Sequence, residues 1–586
     1  MEQNPVTSDP KKKKIRKRIL WIVLIILGVF LVLFTIASLY AYYRGSKIVQ
    51  AWIIEKVKTQ TKGLYTLSVK DVDLVLFPGR LRIEGLSLVP DTARYRELQK
   101  TDTLSSLLLT LHVAKIVVRD FDLMRVIQEK EVFLDKIIVD SPDIRIDEYD
   151  LPPGHQKKAQ KRTVKLTLSL PSGLNLIQVN EVRLNNGKVL FSDHRNDTLR
   201  ETLIPYVSFE IDRILLDSAQ TSKHLFNAED IRVTLKGLSK TSKNGMTTIS
   251  LGEIGISTGK NELYVKELHV KPEVSQVEFG RKLGYQTDWM EVKVKELRLT
   301  DINLPVLIMN ERFEAKRLTV DGVELEDYRD KRNPPRKNWK PPMPHEALTN
   351  LKMQIRIDSV IVNGGKITYS EQTGDQPGTL FFDEVSMKAG PLTNDSAMMA
   401  QGFVLQVRGT ARLMGSGAVS LSVHFPMPAK NGNFSFSGLL TGFDMTKLNP
   451  FLSAQIPAKI ESGYIDKLVI PPVYANSHHS KGKLILYYHD LKADLPPQTD
   501  KKWESIKKSV LSWAANAYVA SSNPSDNGKL REGVVYFERD AGKSIFNYLW
   551  KSLFSGIKST VNVNTKEQKE IKKEAKKQEH TRKKKN

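Results

Sequence analysis

The sequence predicts a mainly β protein: an N-terminal transmembrane helix, then an extended, tandemly duplicated antiparallel β-sheet that forms an open groove or a curled sheet, then two C-terminal amphipathic helices. Three observations carry this. The strand-like pattern between Leu74 and Gly237 returns, gaps included, between Ile254 and Gly415. Apolar residues alternate with others at period two through most of the chain. One uninterrupted apolar run lies near the start, behind a cluster of lysines and arginines.

The run comes first in chain order. Residues 1–18 form a basic segment carrying Lys11 to Lys14, Arg16, Lys17 and Arg18, and the span of residues 19–43 follows. Ile19 to Leu39 is almost wholly apolar, which at about 1.5 Å per residue is long enough to cross a bilayer. A cleaved signal peptide would end in small residues, yet the nearest candidate site, Leu39-Tyr40-Ala41, puts leucine and tyrosine beside the cut. The basic cluster keeps the N-terminus cytoplasmic, Tyr40, Tyr42 and Tyr43 mark the far interface, and the bulk of the chain is expected outside the cytoplasm.

Residues 44–63 read as a short juxtamembrane helix with Ile48, Val49, Trp52, Ile53 and Val57 on it. Residues 64–250 and 251–430 are then two β-rich repeats. Val179 to Asp193 (VNEVRLNNGKVLFSD) reappears as Ile357 to Glu371 (IDSVIVNGGKITYSE), and Val113 to Leu123 (VAKIVVRDFDL) as Val294 to Leu304 (VKELRLTDINL). Upstream, Leu81, Ile83, Leu86, Leu88 and Pro90 align with Leu263, Val265, Leu268, Val270 and Pro272. Even the loops answer each other: Pro152-Pro153 beside a basic stretch matches Pro334-Pro335 beside another. Turn signals such as Asn185-Asn186-Gly187 and Asn363-Gly364-Gly365 separate the strands.

Strands of this type have one apolar and one wet face. A sheet with so many of them must curl, and it either closes into a sandwich or stays an open trough. Residues 431–500 continue as strands. In residues 501–560, Trp503, Ile506, Val510, Trp513, Ala514, Ala517 and Tyr518 fall on one face of a first helix, and Ile545, Leu549, Leu553, Phe554 and Ile557 on one face of a second. Residues 561–586 are a basic tail without apolar periodicity.

Enzyme motifs fail at the level of spacing. Ala541-Gly542-Lys543-Ser544 resembles the end of a phosphate-binding loop, but Phe537 stands where its first glycine is required, so the segment reads as a helix start with Asp540 as N-cap. His478-His479 is the only histidine doublet, and neighbours on a strand point to opposite faces, which is poor metal-ligand geometry. With no cysteine, disulfides and thiolate chemistry are excluded. About half of the net charge of +23 comes from the two ends and the rest is spread thinly over the body, and without a nucleic-acid-binding signature it fits an anionic lipid or envelope surface better than nucleic acid. No cofactor and no catalytic residue is expected.

These features together resemble the AsmA-like family of Gram-negative envelope proteins. An anchor is followed at once by Val69 to Leu88 (VKDVDLVLFPGRLRIEGLSL), similar to that family's opening strands. Met445 to Leu452 (MTKLNPFL) with Ile460 to Ile465 (IESGYI) is similar to its C-terminal region. The resemblance implies a single-pass inner-membrane protein with a β-rich periplasmic part, related to bridge-like lipid transfer proteins and linked to phospholipid traffic and outer-membrane assembly. Its partners would be phospholipid acyl chains, the inner membrane and envelope proteins or an anionic envelope surface. On that reading the groove candidates are Ile116, Val118, Ile137, Val139, Val182 and Leu184, with their repeat partners Leu297, Leu299, Leu318, Val320, Val360 and Val362. The alternative is a structural scaffold for envelope proteins with a closed β core.

Overall fold

A computed structural model describes residues 46–75, 79–101, 106–150, 173–195, 199–217, 227–455, 459–494 and 519–561. The protein is mainly β, and its described strands make one large mixed sheet of 21 strands that does not close on itself. By contacts the chain divides into two compact units, Met1–Leu238 with Gly255–Gly259 and Ser239–Ile254 with Lys260–Asn586. The apolar run of residues 19–43, the first C-terminal helix pattern (residues 503–518) and the basic tail beyond Val561 lie outside the described residues. Among the described residues no helix is long and apolar enough to cross a membrane.

Unit 1 opens with a helix, Ser46–Gln60, that leads into β1 (Tyr65–Ser68), β2 (Asp71–Val75) and β3 (Arg80–Pro90). It continues through β4 (Leu107–Arg119), β5 (Glu131–Glu148), β6 (Leu176–Asp193), β7 (Arg200–Asp217) and β8 (Ala228–Thr241). From β3 to β8 every neighbour in sequence is a neighbour in space. All these pairs are antiparallel except β5 with β6, which run parallel.

That parallel pair corrects the expectation of an all-antiparallel sheet. A hairpin reverses the chain in a few residues, whereas the connection after Glu148 is long enough to carry the chain back to the end where β5 began. Glu131 consequently lies beside Leu176, and Glu148 beside Asp193.

Unit 2 holds β9 (Thr247–Ser257) up to Ile254, β10 (Glu262–Pro272), β11 (Asp288–Thr300), β12 (Phe313–Asp330), β13 (Ile355–Gln372), β14 (Pro377–Gly390) and the two-residue β15 (Leu392–Thr393). β16 (Phe403–Leu413), β17 (Gly417–Met427), β18 (Phe434–Asp444), β19 (Lys459–Ala475), β20 (His479–Asp494) and β21 (Glu532–Glu538) follow. From β10 through β14 to β16 the order and sense of β3 to β8 recur, including one parallel pair, β12 with β13, at the same place. Backbone kinks recur with them. Asp120, Lys130, Ser141, Asn186 and Gly237 have positive φ, and so do Asp301, Glu311, Gly322, Gly364 and Gly415, their counterparts in the duplicated sequence.

The C-terminal strands and the helix Ile545–Val561 enclose a second core around Phe434, Phe436, Phe443, Leu484 and Tyr548. The helix does more than pack. Val534 and Tyr536 on β21 donate their backbone N–H groups to the hydroxyls of Ser559 (2.6 Å) and Ser555 (3.1 Å). An edge strand's unpaired donors, which otherwise invite a further strand, are thereby satisfied by helix side chains. The start of this helix differs from expectation: Asp540 accepts from Gly542 N in a local turn (2.9 Å), and the helix begins later, at Ile545, with Ser544 Oγ accepting from Asn547 N (3.4 Å). Asp540 is engaged in that turn, so the cap shifts to the next hydroxyl.

Candidate functional site

Register decides which side chains share a face, because residues directly opposite each other on paired strands point the same way. In unit 1, Leu81, Val118, Ile137, Val182, Ile211 and Ile231 form one rung across six strands. Ile83, Ile116, Val139, Leu184, Phe209 and Val233 form the next. The first-repeat groove candidates therefore all sit on two adjacent rungs. Ile116, Val118, Ile137 and Val182 are buried, with Val118 at 0% exposure and Ile137 at 1%, and Val139 and Leu184 are half-buried against them. In unit 1 the first rung is buried core throughout, and the second is buried at Ile83, Ile116 and Phe209 and half-buried at Val139, Leu184 and Val233.

Unit 2 repeats the two rungs. Leu263, Leu299, Leu318, Val360, Ala389 and Val407 make the first, and Val265, Leu297, Val320, Val362, Met387 and Gly409 the second. All six second-repeat candidates are on them. Here Leu297, Leu299, Leu318, Val320 and Val362 are only half-buried, and Val360 alone is buried, at 9% exposure. The first rung continues through Val423, Phe436 and Val473, which are buried in the C-terminal core. The first rung is therefore buried across unit 1, half-buried from β10 to β16 in unit 2 except at Val360, and buried again from β17 to β19.

The opposite face is wet and ion-paired. In unit 1, Arg232 donates to Glu210, Asp212 and Asp230. In unit 2, His269 meets Glu291 at 2.7 Å and Arg298 pairs with Glu262 and Glu296. Such pairs, largely in water, add solubility more than stability.

One end of the open face carries polar residues that the sequence reading did not single out. The rung of Leu109, Ile146 and Phe191 in unit 1 corresponds to Met290, Asp327 and Tyr369 in unit 2. Beyond it, Leu107, Glu148 and Asp193 correspond to Asp288, Arg329 and Glu371. Arg329 holds Asp288 through Nε to Oδ1 (2.5 Å) and Nη2 to Oδ2 (2.6 Å). Tyr369 Oη donates to Glu371 Oε2 (2.7 Å), and Lys331 Nζ lies 2.5 Å from Glu371 Oε1. Asp327 Oδ1, out of contact with water, accepts no hydrogen bond.

Burial first, and the nearby Asp288 second, push the Asp327 carboxyl up to about 7, with Arg329 opposing them. The folded protein thus holds this proton in a window where the unfolded chain has already released it. The contribution of Asp327 to stability falls as pH rises from about 4 to about 7 and then levels off. Asp327→Asn should match the parent near pH 4 and exceed it at pH 8 by on the order of 2 kcal/mol. Urea midpoints at the two pH values check this; equal differences at both would show that Asp327 ionises freely.

Among the described residues no three His, Asp or Glu side chains converge as metal ligands. The doublet His478 and His479 sits at the β19–β20 turn, where both backbone N–H groups donate to Asn476 Oδ1. No family model matches this chain, and no curated protein matches it.

Proposed function

We propose that the chain is a membrane-anchored, non-enzymatic phospholipid-handling protein of AsmA-like kind, held in the inner membrane by residues 19–43 with its bulk in the periplasm. Acyl chains lie along the apolar rungs of unit 2, in support of outer-membrane assembly. The observation that carries this reading is the difference in cover between equivalent rungs. Leu297, Leu299 and Leu318 are partly open to solvent, while their unit 1 counterparts Ile116, Val118 and Ile137 are buried core; Val320 and Val362, like Val139 and Leu184, are half-buried. Apolar surface left in water costs roughly 25 cal/mol per Å², so an acyl chain that covers it is held without any specific polar contact.

A photo-crosslinking residue at Val320 of the full chain, irradiated in native membranes, is expected to capture phospholipid. At Lys293, on the wet face of β11, it is expected to capture none. Equal capture at both positions, or none at Val320, would refute the proposal. The second outcome would favour the structural scaffold, a reading that the sealed core of unit 1 supports by itself.

A further inference from the structure

The open apolar face of unit 2 ends at an ionisable group with a buried oxygen that accepts no hydrogen bond. Asp288 is matched by Arg329 and Glu371 by Lys331 and Tyr369, which leaves Asp327 as the carboxyl with an unbonded, dehydrated oxygen. Its setting is amphiphilic. Met290, directly across the β11–β12 pair, is 47% exposed, and Phe546, 5.9 Å from the Tyr369 ring, is 45% exposed. Large apolar side chains left in water around a dehydrated carboxyl make a surface that neither water nor a purely apolar ligand satisfies.

The duplication supplies an internal control. Unit 1 places Ile146 and Phe191, both buried, where unit 2 places Asp327 and Tyr369. The fold at this position accepts an all-apolar rung, so the sheet itself does not require the carboxyl. What the carboxyl lacks is a hydrogen-bond donor to Oδ1.

Taking the lipid-trough reading as its basis, we infer that Asp327 receives the primary ammonium headgroup of an aminophospholipid whose acyl chains lie along the neighbouring rungs of Leu325, Val323, Val320 and Leu318. The ammonium donates to Asp327 Oδ1. The Asp288–Arg329 ion pair borders the site on β11 and β12. Burial beside Asp288 makes the bare carboxylate unfavourable, so an incoming cation gains by stabilising its charged form. A headgroup with hydroxyls in place of the amine offers no charge to match.

The test uses the full chain with a photo-crosslinking residue at Val320, reconstituted into vesicles of equal parts phosphatidylethanolamine and phosphatidylglycerol. The cross-linked lipid is identified by mass spectrometry. We expect a roughly tenfold preference for phosphatidylethanolamine, the scale of one charge-assisted hydrogen bond, and its loss in Asp327→Asn with total capture retained. Asp327→Ile, which installs the unit 1 residue, should behave the same way and guards against a defect peculiar to asparagine. Capture with the same headgroup ratio in parent and variants overturns the ammonium site while leaving the trough intact. No capture at Val320 in the parent overturns the trough, and the ammonium site with it.

Discussion

Val118→Asp is expected to unfold unit 1, whereas Leu299→Asp, the same position of the second repeat, is expected to leave unit 2 folded and to abolish lipid capture at Val320. The two residues occupy equivalent rungs. Val118 sits between Leu81 on β3 and Ile137 on β5, at 0% exposure. An aspartate there has no partner and no route to water, which costs several kcal/mol, on the order of a domain's whole stability. Leu299 is half-buried between Leu263 and Leu318. A carboxylate at that place can turn to solvent, and the loss is that of one partly covered leucine, about 1 kcal/mol. Hydrogen exchange mapped onto each unit, run beside the cross-linking assay, reads both effects. Unfolding of unit 2 by Leu299→Asp would mean that its face is a core as well, and the scaffold reading would then stand.

What the sequence could say about this pair is instructive. Alternation and loop spacing were enough to align Val118 with Leu299 and to pair the twelve candidates across the repeats, because the side-chain period of a strand is fixed by its backbone; which of them share a rung came from the register. Cover was not legible: both residues are apolar, both face the same way, and whether a sheet curls over its own face depends on contacts distant in sequence. The parallel pairs were hidden for a related reason. β5 and β6 look like any two strands, and their relative sense follows from where the intervening segment delivers the chain.

The polar end of the open face was within reach of sequence reasoning and was passed over. Aligning the repeats column by column sets Ile146 against Asp327 and Phe191 against Tyr369. Asp327 breaks the alternation that runs through Val323 and Leu325, and a charged residue in an apolar column is the departure that marks a site. The serine contacts of the last helix were beyond that method. Periodicity finds the apolar stripe of Ile545–Val561, but which strand donors Ser555 and Ser559 meet depends on how deeply the helix seats.

That depth is set by two glycines, and Gly533→Ala is expected to dislodge the helix. Gly533 lies on β21 under the helix, where an added Cβ would overlap the Gly556 carbonyl oxygen and crowd Thr560 Oγ1. On the helix side, a Cβ at Gly556 would come within 2.8 Å of Val535 Cγ2 and of Leu484 Cγ. Leu484 is fully buried and cannot yield. Because the obstruction at Gly533 is backbone, a rotamer change cannot relieve it; the helix must shift outward. The shift separates Ser559 from Val534 N and Ser555 from Tyr536 N, and it opens the core around Tyr548. Loss of packing and of two hydrogen bonds together should cost about 3–5 kcal/mol. It should also free the donors of an edge strand, so Gly533→Ala should aggregate under conditions where the parent chain does not. Replacing Ser555 and Ser559 together by alanine keeps the helix seated and removes only the hydrogen bonds. If that double variant loses as much stability as Gly533→Ala, the serines and not the close approach hold the helix; if Gly533→Ala melts with the parent, the helix is not seated on β21 through these glycines.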